Sequence, residues 1–168
     1  MRNLEAKFRL DDLAEAGQRA EAIGFSFFGL LVQRDTFFAA AHGKLKLRDE
    51  ADGSSLIHYH RDHDGKLEVS NYEIVMVPDP FKMRALLSAA LEVIAEVRKT
   101  RKLFMRGNIR LHLDEVDNLG NFGEIEAVLD DGEDPGDYRA QVAAILAALR
   151  VSNDQLIEAS YFELMRLQ

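Results

Sequence analysis

Alternation of apolar and polar residues with period two recurs along most of this chain, and a chain that alternates so often must put most of its residues into half-buried strands. Asn3 to Leu10 sets the pattern, with Leu4, Ala6, Phe8 and Leu10 on one parity and Asn3, Glu5, Lys7 and Arg9 on the other. Lys44 to Arg48 alternates strictly. Phe25 to Phe38 is rich in aromatic and branched residues and reads as a long strand bent at Gly29. Ser55 to Arg61 and Leu67 to Val77 continue the series through turns at Asp52-Gly53-Ser54 and Asp64-Gly65. Ile94 to Met105, Asn108 to Val116 and Leu119 to Leu129 complete it, joined at Arg106-Gly107-Asn108 and Asp117-Asn118. Helical spacing replaces the alternation after the N-cap pair Asp11-Asp12, from Pro80 to about Val93, and from Pro135 to Leu149. Short helical pieces are predicted at Asp154 to Ile157 and at Tyr161 to Met165. Eight strands in hairpin order with two or three helices describe an antiparallel α+β domain that is suited to closing as a barrel.

The 168 residues suit one domain, 1–168, and contain no repeat, low-complexity tract or linker. With 47% apolar and 30% charged residues the composition is globular. A net charge of −8 argues against nucleic acid and anionic membranes as partners. The absence of cysteine excludes disulfides, zinc-thiolate sites, iron–sulfur clusters and a cysteine nucleophile. No apolar segment of signal-peptide type follows Met1, and the longest uncharged run, Ala22 to Gln33, is too short to span a bilayer. The expectation is a soluble, cytoplasmic protein.

The polar faces of the strands sort by charge. Lys44, Lys46 and Arg48 share one face, Lys99 and Arg101 another, and Arg110, His112 and Asp114 a third. Glu124 and Glu126 share a fourth, and Glu5, Lys7 and Arg9 a fifth; Tyr59 and Arg61 add an alternate pair. One such pair alone is most often a solvated strand face. Five together suit a polyanion, because like charges two apart on a strand repel unless an opposite charge lies between them. The carboxylates supply hard oxygen ligands for Mg²⁺ or Mn²⁺, and a basic lining beside a carboxylate cluster is what a metal-chelated polyphosphate requires. Phosphate loops of the G-x-G-x-x-G or Walker type are absent, so side chains on strands must do the binding.

These residues resemble the CYTH superfamily, the triphosphate tunnel metalloenzymes, which include class IV adenylyl cyclases and thiamine triphosphatases. Asn3-Leu4-Glu5-Ala6-Lys7 is similar to its E-x-E-x-K signature. The likeness continues through Gln33-Arg34-Asp35-Thr36-Phe37-Phe38, Gly43 to Arg48, Tyr59-x-Arg61, Lys99-Thr100-Arg101, Ile109 to Val116, Glu124-Ile125-Glu126 and Ser160-Tyr161. The resemblance implies a closed eight-stranded antiparallel β-barrel, a tunnel with flanking helices. It implies metal ligands at Glu5, Glu124 and Glu126 with Asp114 close by. Phosphate ligands are implied at Lys7, Lys46, Arg48, Arg61, Lys99, Arg101 and Arg110, with Arg9 and Lys44 as weaker additions. Glu5, Lys7, Lys99 and Arg101 form the implied catalytic set. The implied activity is conversion of ATP to cyclic AMP and pyrophosphate. The alternatives are hydrolysis of a nucleoside, thiamine or inorganic triphosphate, or triphosphate binding without catalysis. Asn3 departs from the signature: it offers a carbonyl oxygen where the family carries a charged ligand.

His112 shares the face of Arg110 and Asp114 and is expected to orient Asp114. His58 and His60 fall on the opposite parity to Tyr59 and Arg61, so they are expected at the surface. Met76, Met83, Met105 and Met165 read as core filler, and Asp130 to Asp137 as a solvated loop without EF-hand spacing. A homodimer that buries the outer apolar face and helices is compatible with the sequence.

Overall fold

Eight of the alternating segments pair edge to edge until the sheet closes on itself. A computed structural model describes residues 2–64, 67–130 and 132–166, and the side chains of all of these except 61–64 and 68. The strands are β1 (Arg2–Arg9), β2 (Ser26–Phe38), β3 (Lys44–Asp49), β4 (Ser54–Asp64), β5 (Leu67–Val77), β6 (Val93–Arg106), β7 (Ile109–Val116) and β8 (Gly120–Leu129). They lie in the order β5-β4-β3-β2-β6-β7-β8-β1, and antiparallel pairing of β1 with β5 closes the ring. That closing ladder is short, running from Arg2 opposite Asn71 to Glu5 opposite Glu68. The far half of the β1 edge is taken instead by β9 (Leu156–Ile157), which pairs with Phe8 and Lys7. The helical piece predicted at Asp154 to Ile157 is therefore a turn running into a two-residue strand. The edge left open by β5 supplies hydrogen-bonding partners that a single helical turn would lack, and the Arg9 amide donates to the Gln155 carbonyl at 2.9 Å.

Alternation decides what each face does. On β1, β7 and β8 the outward residues Leu4, Ala6, Phe8, Leu111, Leu113, Ile125 and Ala127 form the main core. They pack against Ala16 and Ala20 of α1 (Leu13–Ala22) and Val142, Ile145 and Leu146 of α3 (Pro135–Ala148). Asp12 starts α1 by accepting the amides of Ala14 and Glu15, and Asp134 starts α3 ahead of Pro135. Gly123 lies opposite Phe8, and any Cβ there would sit 2.1 Å from the Phe8 ring. The main apolar core thus lies outside the ring, beneath two helices, and the inward parity carries the charged residues together with a second, smaller apolar cluster.

α2 (Pro80–Ala90) covers another stretch of the outer face, with Met83 and Leu87 against Phe38, Leu47 and Val77. It stops three residues short of the predicted end, since Leu91 is extended and Val93 already pairs with Phe38. α4 (Tyr161–Met165), opened by a reciprocal Ser160–Glu163 capping box, seats Tyr161 and Phe162 among the inward residues Phe37, Ile57, Tyr59, Val97 and Phe122. Along β2 the register against β6 shifts between Phe27 and Gly29, so the bend falls at Phe28, one residue before the predicted Gly29. No helix among the described residues is long and apolar enough to cross a membrane.

Candidate active site

Across the ladders, the inward parity brings the charged faces into rows. Arg110 pairs with Glu126, and Glu126 with Glu5. One layer deeper, Leu103, His112, Glu124 and Lys7 follow in line. The next row runs Leu31, Arg101, Asp114 and Phe122. From the other side, Asp35 pairs with Arg48, and Phe37 with Lys46. A single cavity of about 530 Å³ is lined by most of these groups. Among the described residues its cations are Lys7, Lys46, Arg48, Lys99, Arg101 and Arg110, and its carboxylates Glu5, Asp35, Glu50, Glu124 and Glu126.

Two buried carboxylate centres organise the cations. Asp35, 2% exposed, accepts from Arg48 Nε and Nη2 at 2.7 Å each and from Lys46 Nζ at 3.1 Å, with Lys99 Nζ at 3.4 Å. Burial alone would raise the Asp35 carboxyl, but Arg48, Lys46 and Lys99 outweigh it and hold it well below the usual range. The second centre spans Glu124 and Asp114. Glu124 accepts from Lys7 Nζ at 2.7 Å and Arg101 Nη2 at 3.0 Å. Asp114 takes a two-pronged bond from Arg101 at 2.7 and 2.6 Å, and the Tyr161 hydroxyl donates to it at 2.8 Å. Burial opposes ionisation of both acids, yet the adjacent cations win: Asp114 is brought to about 2, and Glu124 lies well below its ordinary value.

The lysines move the other way. Burial, and then repulsion from Arg101, lowers Lys99 to about 7 despite Asp35. Burial and repulsion from Arg48 lower Lys46 to about 8. These groups line the cavity, and each ammonium has three N–H donors, so an anion entering the cavity meets donors that are already aimed. Gln33 Oε1 and Ser70 Oγ are buried with no hydrogen-bond partner among the described residues, and both side chains line the cavity.

The donors that could hold a metal gather in the upper rows. Ligand atoms of His112, Glu124 and Glu126 all lie within 4.8 Å of one another. His112 Nδ1 is 3.5 Å from Glu124 and 3.7 Å from Glu126. Glu5 lies directly across the ladder from Glu126, which puts two like charges side by side, with Arg110 3.9 Å from Glu126. A dication relieves that repulsion, so this donor set fits Mg²⁺ or Mn²⁺. Asn3 also lines the cavity, where its carbonyl accepts from the Tyr72 hydroxyl at 3.0 Å.

Most residues singled out in the sequence meet here: Glu5, Lys7, Lys46, Arg48, Lys99, Arg101, Arg110, Glu124 and Glu126 all face the cavity. Asp114 shares their parity but is fully buried behind Arg101 and does not line it. His112 turns to Glu124 and Glu126 rather than orienting Asp114, whose hydrogen bonds come from Arg101 and Tyr161. Lys44 reaches the Glu163 carboxylate at 3.0 Å beside the Phe162 ring, and Arg9 lies exposed over Phe122. The Arg61 side chain lies outside the described residues. Asp35 and Tyr161 are the groups that reading by charge pattern missed. The one signal for Asp35 is an isolated acid on the parity of Gln33 and Phe37.

Comparison with known proteins agrees with this geometry. Residues 1–161 match the CYTH domain. A Methanocaldococcus jannaschii protein named "putative adenylate cyclase" is 28% identical over 99% of this chain and 100% of its own length. Among solved structures, a Pyrococcus horikoshii protein superposes with TM-score 0.87 at 22% identity, over 96% of this chain and 98% of that one. A Hippeastrum adenylyl cyclase homologue, described as having a dominant triphosphatase activity, superposes with TM-score 0.69 at 16% identity, over 98% and 95%. The chain belongs to the CYTH domain family.

Proposed function

We propose that this protein binds a metal-chelated triphosphate inside the ring and cleaves it as an adenylyl cyclase, turning ATP into cyclic AMP and pyrophosphate. One observation carries the reading: among the described residues, six cations and five carboxylates line the same cavity. Six against five leaves one surplus positive charge, too little for a triphosphate, and a dication on the carboxylates raises the surplus to three. Lys46, Arg48, Lys99 and Arg101 bind non-bridging phosphate oxygens, with Asp35 and Asp114 keeping the guanidinium groups aimed. Arg110 and Lys7 serve phosphate at the opposite wall. Glu124, Glu126 and His112, with Glu5 beside them, hold Mg²⁺ or Mn²⁺, which when bound neutralises phosphate charge and eases attack at phosphorus. In the cyclase reaction the ribose 3′-hydroxyl gives up its proton to solvent as its oxygen bonds to the α-phosphorus, the bond from that phosphorus to the bridging oxygen breaks, and pyrophosphate leaves. Catalysis is then positioning and charge neutralisation, with Lys99 and Arg101 meeting the developing negative charge.

The second reading, a triphosphate phosphohydrolase, uses the same residues with water attacking the terminal phosphorus. Its support is the triphosphatase activity given for the Hippeastrum neighbour. Product analysis separates the two. ATP and inorganic tripolyphosphate are each incubated with the protein in Mg²⁺ and in Mn²⁺. Cyclic AMP with pyrophosphate supports the cyclase, orthophosphate supports the hydrolase, and neither product from any incubation overturns the enzymatic reading. Asn3→Glu should raise whichever activity is found.

A further inference from the structure

The cavity has an apolar part that a chain of phosphates does not use. Phe28, Leu31, Ile74, Leu103 and Met105 line it together with the charged groups. Leu103 and Met105 stand opposite His112 and Arg110, immediately beside the metal-binding rows. Phe28 is turned there by the irregularity in β2: Phe27 pairs with Phe104, Gly29 pairs with Leu103, and Phe28 between them has no partner on β6. Bulges of this kind re-aim a side chain, and they concentrate next to active sites. Phe27 and Phe104, meanwhile, make an edge-to-face contact at 5.4 Å. The inserted residue is thereby freed to serve the cavity. Phe28 is 75% exposed and Ile74 47% exposed. A large aromatic ring held in water at the rim of a charged cavity gains nothing for the fold, and such exposed apolar groups mark binding surfaces. The volume of about 530 Å³ falls in the range of sites for organic ligands of roughly 300–1,000 Å³.

We infer that Phe28, with Leu31, Leu103, Met105 and Ile74, forms a specificity collar for the flat organic body of the substrate, so that the protein selects an aromatic organic triphosphate over inorganic tripolyphosphate. This rests on the triphosphate reading above and adds the residues that recognise the organic part of the ligand, to which that reading assigns none. The charged rows hold the phosphates, which both ligands share, and the collar covers the ring system, which only the organic ligand has. The two ligands also differ by the ribose and by one terminal charge, but those differences do not depend on Phe28, so truncating Phe28 should act on one ligand and not on the other.

The test is equilibrium titration in Mg²⁺ with ATP and with tripolyphosphate, each with its bridging oxygens replaced by methylene groups so that nothing is cleaved. The wild type should bind the ATP analogue more tightly. Phe28→Ala should weaken that binding roughly tenfold, as loss of one aromatic stacking partner does, and leave the tripolyphosphate analogue unchanged. Phe28→Trp should retain the preference. Equal wild-type affinities, or a Phe28→Ala variant that weakens both ligands alike or neither, would overturn the collar while leaving the triphosphate site standing. Failure of the wild type to bind either analogue would overturn the triphosphate reading and the collar with it.

Discussion

Lys99 and Lys46 make the proton balance of ligand binding a measure of the site. In the free protein, burial and neighbouring guanidinium groups lower them to about 7 and about 8. A bound triphosphate places negative charge against both ammonium groups and holds them protonated. At pH 8 the free protein has therefore lost roughly 0.9 proton from Lys99 and 0.5 from Lys46, and binding takes up about 1.4 protons. At pH 6 the lysine share of the uptake falls to about 0.1, where the ligand's terminal phosphate, titrating at about 6, gives up a proton of its own, and the lysines alone should lower affinity about tenfold between pH 7 and pH 8. The sign for folding is the reverse of that for binding. An unfolded lysine keeps its proton to the ordinary 10.5, so the ligand-free fold gains stability as pH rises from about 7 toward 10.5. Calorimetric titration with the uncleavable ATP analogue, in buffers of different ionisation enthalpy, reads the uptake directly. Lys99→Arg keeps its charge at every pH and should reduce the uptake at pH 8 to about 0.5 proton. Uptake near zero in the wild type, or unchanged in Lys99→Arg, would refute the placement of these lysines against phosphate.

Asp35→Asn removes the carboxylate shared by Arg48, Lys46 and Lys99 and should cost about 3–5 kcal/mol of stability. Triphosphate should then raise the melting temperature of the variant more than that of the wild type; equal shifts would count against Asp35 as their organising charge. Gly123→Ala drives a Cβ into the buried Phe8 ring and should destabilise by roughly 1–3 kcal/mol in denaturant unfolding, with Phe8→Leu in the same chain recovering part of the loss. Mn²⁺ bound at Glu124 and Glu126 should show nitrogen hyperfine coupling in pulsed electron paramagnetic resonance, and His112→Asn should abolish it. An unchanged spectrum in that variant would remove His112 from the metal site.

Much of this was legible in the sequence because strands report their faces at a spacing of two. Lys44-x-Lys46-x-Arg48, Lys99-x-Arg101 and Glu124-x-Glu126 announce which side chains share a wall before any fold is known. What period two cannot report is which residues meet across a ladder. Arg101 stands opposite Asp114, and His112 opposite Glu124; those registers seal Asp114 behind a guanidinium and turn the histidine toward the carboxylates. Read along β7 alone, the same two residues pointed to each other. Asp35 escaped notice because its segment reads as an aromatic and branched strand, and its meaning comes from β3, which brings Arg48 directly opposite it. Leu156–Ile157 failed for a further reason: two residues carry no periodicity, and the open edge of β1 made them a strand. The bulge at Phe28 also has no local signature beyond the nearby glycine, since a shift of register exists only between two strands.

The most direct test of the site as a whole is a crystal structure of the protein with Mn²⁺ and the uncleavable ATP analogue. The expected result is an anomalous peak between Glu124 and Glu126, phosphates against Lys46, Arg48, Lys99 and Arg101, and the adenine ring beside Phe28. Phosphates bound on the outer face of the ring, or manganese away from those carboxylates, would contradict it.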